Sequence, residues 1–77
     1  MLTLALLEGH FGPAGRRRSA SGAWYWGLVW VPRPGVAVWL VEGEVQVVRE
    51  AAGKLAERVG VASSLEELDE LVARASR

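Results

Sequence analysis

The sequence predicts an α+β domain in which a three- or four-stranded antiparallel sheet is followed by two C-terminal helices packed on one face. Three observations predict it. Residues 23–41 are dense in aromatic and β-branched side chains and are interrupted at Pro32-Arg33-Pro34-Gly35, the pattern of a β-hairpin. Ala52, Leu55 and Val59 step by three and four toward Gly60, a helical spacing with a natural stop. Leu65, Leu68, Leu71, Val72 and Ala75 repeat that spacing behind Ser64.

Leu2 to Glu8 reads as the first strand, because leucines at 2, 4 and 6 alternate with Thr3 and Ala5. Gly9 to Gly22 lacks periodicity and is rich in glycine, serine and arginine, so a long mobile loop is expected over 9–22. Ala23 to Val31 is the next strand, Pro34-Gly35 the centre of a tight turn, and Val36 to Val41 the returning strand. A loop with an even number of residues sets Val31 or Arg33 opposite Val36. Either choice puts Trp39 on one face with Trp24, Trp26 and Trp30, and Tyr25, Val29, Val31, Val36, Val38 and Leu40 on the other. A slip of one residue moves Trp39 across. Gly27 falls on the valine face, where a missing side chain admits another element.

Glu42-Gly43 suits a second turn, and Glu44 to Val48 alternates as a short fourth strand. A helical reading competes there, since Val45, Val48, Ala52, Leu55 and Val59 also form a stripe. The division adopted is a strand through Val48 and a helix from about Arg49 to Val59. Gly53 inside that helix costs roughly 1 kcal/mol relative to alanine. For the last helix, Ser64 and Glu67 form a capping box, Glu66, Glu67, Asp69 and Glu70 crowd the first turns, and Arg74 sits in the last.

Composition narrows the classes of function. A 77-residue chain is one small domain, and such a domain buries only about 60% of the surface its unfolded chain exposes. Without cysteine, disulfides cannot supplement so thin a core, and no cysteine/histidine cluster is present for a structural metal. Good local structure or self-association are the remaining routes, and 51% hydrophobic residues with four tryptophans suit self-association. Nine basic and nine acidic residues cancel, which gives no electrostatic argument for nucleic acid or an anionic membrane. Eight arginines against one lysine, with no asparagine or isoleucine, suit a GC-rich genome and a thermophile-like composition. Met1 to Leu7 is too short for a secretory signal, and the proline-glycine break in 23–41 removes a membrane span. A cytoplasmic protein is expected.

The candidate interface is the indole face, Trp24, Trp26, Trp30 and Trp39. If the helices cover the valine face, these side chains are left for a homodimer contact; if the helices pack on the indoles, they are ordinary core. The second candidate is Arg16, Arg17 and Arg18, whose guanidinium groups match phosphate geometry and whose aromatic neighbours suit unpaired bases. Leu55 to Leu71 invites comparison with a helix-turn-helix, but the second helix is acidic and its leucines are out of phase with that motif. His10 with Glu8 is the one base–carboxylate pair, and no nucleophile motif or dinucleotide glycine signature accompanies it. The expectation is a small binding or assembly protein rather than an enzyme, acting as a homo-oligomer, most simply a dimer. It needs no cofactor. The second expectation is a nucleic-acid-binding accessory protein, and a small enzyme comes third.

Overall fold

The computed structural model describes residues 2–18, 26–52 and 54–77, with the backbone alone for Arg18, Trp26 and Leu55. The elements are α1 (Leu4–Phe11), β1 (Gly15–Arg18), β2 (Trp26–Arg33), β3 (Val36–Val41), β4 (Glu44–Ala51), β5 (Lys54–Ala62) and α2 (Leu65–Ala75). The strands form one antiparallel sheet in the order β1-β2-β3-β4-β5. The α+β class holds. The expected three or four strands followed by two C-terminal helices are replaced by five strands with one helix at each end.

The expected N-terminal strand is α1. Thr3 is extended, and its hydroxyl accepts the Leu6 N–H at 3.2 Å, an N-cap that starts the helix. Leucine, alanine and glutamate are good helix formers, and the leucine alternation that suggested a strand carries no β-branched residue beyond Thr3. The buried side chain of α1 is Leu7, one helical turn before the half-buried Phe11. Gly12, at φ +94°, closes the helix with its N–H on the Glu8 carbonyl. Within the expected 9–22 loop, Gly15–Arg18 pairs with β2 as a short edge strand.

The expected helix over 49–59 is likewise absent. β4 runs on to Ala51, turns at Ala52 (φ +56°) and returns as β5. Val45 and Val48, read as one helical stripe, lie on opposite faces of the sheet, Val45 with the helices and Val48 behind them. Gly60 is no helix stop. A Cβ there would lie 2.9 Å from Leu71 Cδ2, so the bare backbone lets α2 seat on β5.

The hairpin register explains where the tryptophans go. Arg33 faces Val36 across Pro34-Gly35, one of the two pairings left open, and Gly35 (φ +80°) after Pro34 has the signature of a type II turn. Continued evenly, that register would set Trp30 opposite Trp39. Instead a bulge between Trp30 and Arg33 slips it by one residue, giving Trp30↔Val38, Val29↔Trp39 and Leu28↔Leu40. The slip contains Pro32, which has no N–H for the ladder and is tolerated at bulges or edges. Trp30 and Trp39 therefore occupy opposite faces, not the common face expected. Glu42 (φ +52°) and Gly43 (φ +79°) turn β3 into β4 with the double positive φ of a type I′ turn.

Both helices cover the same face. Leu7 from α1 and Leu68, Leu71, Val72 and Ala75 from α2 join Trp30, Val36, Val38, Val45, Val47 and Ala62 in one core. Ser64 caps α2 as predicted, its Oγ accepting the Glu67 N–H at 3.1 Å, but Glu67 Oε1 reaches one residue beyond the expected box and accepts the Ser63 N–H. At the other end Arg49 of β4 donates to the carbonyls of Arg74 and Ala75, both at 3.0 Å, and pairs with Glu57 of β5. A cation on the last carbonyls complements the helix dipole and ties α2 to the sheet.

Gly27 separates two kinds of tight contact. A Cβ at Gly27 would lie 2.6 Å from Trp39 Cε3 and 3.0 Å from a Val41 methyl, against a ring that cannot flex. At Gly60 the obstacle is the mobile end of Leu71. Gly27→Ala is expected to cost about 1–3 kcal/mol by overpacking, and Gly60→Ala clearly less, in urea unfolding followed by tryptophan fluorescence.

Candidate functional site

The helix-free face of the sheet has a small apolar centre of its own. Val29, Ala37, Trp39 and Val48 are buried there with Val41 packed beside them, and no helix residue belongs to the cluster. Adjacent strands assemble the polar group at its middle. Arg17 of β1 faces Gly27 of β2, so nothing rises between the guanidinium and the indole that β3 supplies from Trp39. The Arg17 guanidinium carbon lies 5.0 Å from the centroid of the Trp39 ring, within cation–π range. Arg17 also donates to Glu50 Oε1 of β4 at 2.6 Å, and the Trp39 indole N–H donates to the other oxygen of Glu50 at 3.2 Å.

One carboxylate thus takes a guanidinium N–H and an indole N–H together. Its side chain is 12% exposed, against 37% for Arg17, so the pair is partly shielded and holds more firmly than a free surface ion pair. Arg17 Nε is enclosed without a hydrogen-bond partner among the described residues. The arrangement fixes Trp39 in one orientation on the face that the helices leave uncovered.

Of the four expected interface tryptophans, two have described side chains. Trp39 is 5% exposed on the helix-free face. Trp30 is 4% exposed beneath the helices, its indole N–H on the Gly12 carbonyl at 2.8 Å and its ring 6.3 Å from that of Phe11. Trp26 begins β2 opposite Arg18, with no described side chain, and Trp24 lies outside the described residues. The three arginines are divided as well. Arg17 is committed to Glu50 and Trp39, Arg16 is exposed on the other side of β1, and of Arg18 only the backbone is described.

His10 does not meet Glu8. Its Nε2 lies 2.8 Å from Asp69 Oδ1, an exposed contact that links α1 to α2, and its ring stands edge-on to Phe11 at 4.7 Å. Glu50 and Asp69, the two acids that complete these contacts, were not singled out by sequence reasoning. Their partners are 33 and 59 residues away, so no local spacing marks them. Among the described residues no group of three or more histidine, aspartate or glutamate side chains is placed to hold a metal ion. Nor is any helix there long and apolar enough to cross a membrane. Comparison with protein-family models, curated proteins and solved structures finds no match.

Removing the shared carboxylate tests this cluster. Glu50→Ala takes an acceptor from Trp39 and the counter-charge from Arg17, and is expected to destabilise by about 1–3 kcal/mol. Glu50→Gln keeps one acceptor oxygen and is expected to lose less than half as much, measured by urea unfolding of both variants beside the parent.

Proposed function

We propose that this chain is a small assembly module that acts as a homo-oligomer, most simply a dimer, through the helix-free face of its sheet. The observation that carries the reading is the one-sided placement of the helices. α1 and α2 both serve the core on one face, while the opposite face keeps an apolar centre to which no helix contributes. Val61 extends that face. It stands opposite Gln46, which stands opposite Trp39, and it is 53% exposed. The domain measures 27 × 27 × 18 Å, so a contact near the usual 800 Å² or so per partner must take in most of one broad face.

In this reading the contact is made by the exposed groups around Trp39, Arg17 and Val61 foremost, since Trp39 itself is 5% exposed, and Trp30 takes no part because it belongs to the helix-side core. A phosphate-binding use of Arg16, Arg17 and Arg18 gains no support, since the middle guanidinium is already taken by a carboxylate and an indole face.

A competing apolar surface is on α1, where Leu4 and Leu6 are 40% and 46% exposed; Val31 of β2, at 58%, stands alone. Sedimentation equilibrium separates the two surfaces. Val61→Glu is expected to weaken self-association at least tenfold with thermal unfolding little changed, and Leu6→Glu to leave association intact. A strictly monomeric parent at several hundred micromolar, or disruption by Leu6→Glu and not by Val61→Glu, overturns the assignment.

A further inference from the structure

On the helix side, at the end of the sheet near β1, the core leaves an opening. Arg16 faces Leu28, and Leu28 faces Leu40, so the three side chains form one row across β1, β2 and β3. Leu28 and Leu40 pack against the helix-side core yet are only half-buried. Above them is a cleft of about 220 Å³ lined by Arg16, Gly27, Leu28 and Leu40. Arg17 and Arg49 have carboxylate partners, whereas Arg16 is exposed and makes no ion pair or hydrogen bond through its side chain among the described residues. The cleft therefore joins an apolar floor of two leucines to one uncommitted guanidinium.

We propose that this cleft binds a small amphipathic carboxylate, a short- to medium-chain alkanoate, with its carboxylate on Arg16 and its chain along Leu28 and Leu40. One guanidinium offers paired N–H donors that match one carboxylate in a bidentate contact, and its single charge balances a monoanion. The leucine floor rewards a saturated chain. The volume is below the range of roughly 300–1,000 Å³ usual for drug-sized ligands, which limits the guest to a short chain. The site lies on the opposite side of the sheet from the proposed assembly face, so the two readings stand or fall separately.

The test is a titration of the whole chain with butanoate, hexanoate and octanoate, followed by calorimetry and by backbone amide shifts, with octan-1-ol as the uncharged control. Affinity is expected to rise about fourfold per methylene until the cleft is full, then level off. Shifts are expected to cluster at Arg16, Gly27, Leu28 and Leu40. Arg16→Gln is expected to weaken octanoate at least tenfold and to remove its preference over octan-1-ol, with thermal unfolding unchanged because Arg16 is exposed. The proposal is overturned if octanoate does not bind, if butanoate and octanoate bind alike, if the shifts map elsewhere, or if Arg16→Gln binds octanoate as the parent does.

Discussion

Pro32 has no amide proton to give a neighbouring strand, and the sheet accommodates this with a bulge between Trp30 and Arg33. The side-chain period of a strand is two residues, so one extra residue sends everything beyond it to the other face. Trp30 consequently enters the helix-side core, where the Gly12 carbonyl takes its N–H. Trp39 becomes the centre of the opposite face, where Arg17 and Glu50 hold it. Both clusters depend on this slip. An even ladder would crowd two indoles onto one side of a sheet whose other side still needs filling.

Among the described residues both helices lie on one side of the sheet. α2 is anchored there by the bare backbone of Gly60 and by Arg49 on its terminal carbonyls. On the other side the sheet supplies its own cover. Gly27 makes room for the Trp39 ring, and a neighbouring arginine lies across that ring. Aromatic side chains that fold over a strand glycine are a known way of completing a sheet surface. The result is a two-layer domain with different chemistry on its two sides: a face with an apolar centre and an arginine–glutamate pair, and a helix side with a small cleft at one end.

Those two surfaces suggest separate uses. The broad face is the one proposed to meet a second copy of the chain, and the cleft the one proposed to take a small anion with an apolar tail. The histidine adds to neither. His10 pairs with Asp69 between the helices in an exposed contact of small energetic weight.

The sequence by itself determined the elements whose signals are local and redundant. α2 has its capping box, its leucine stripe and its charge bias, and all three agree. The strands around Pro34-Gly35 and Glu42-Gly43 combine β-branched and aromatic residues with turns of defined geometry. The remainder was decided by tertiary structure. Leu2 to Glu8 is a short apolar run that fits either period, and the Thr3 cap with Leu7 in the core settled it as helix. Residues 49–59 carry a helical spacing, yet β4 needed a partner on its open edge and α2 needed Gly60 beneath it, so the segment became strand. The Arg17–Trp39–Glu50 cluster joins three strands. No window along the chain contains it, because such contacts are fixed by register, and register shifts at the bulge that holds Pro32.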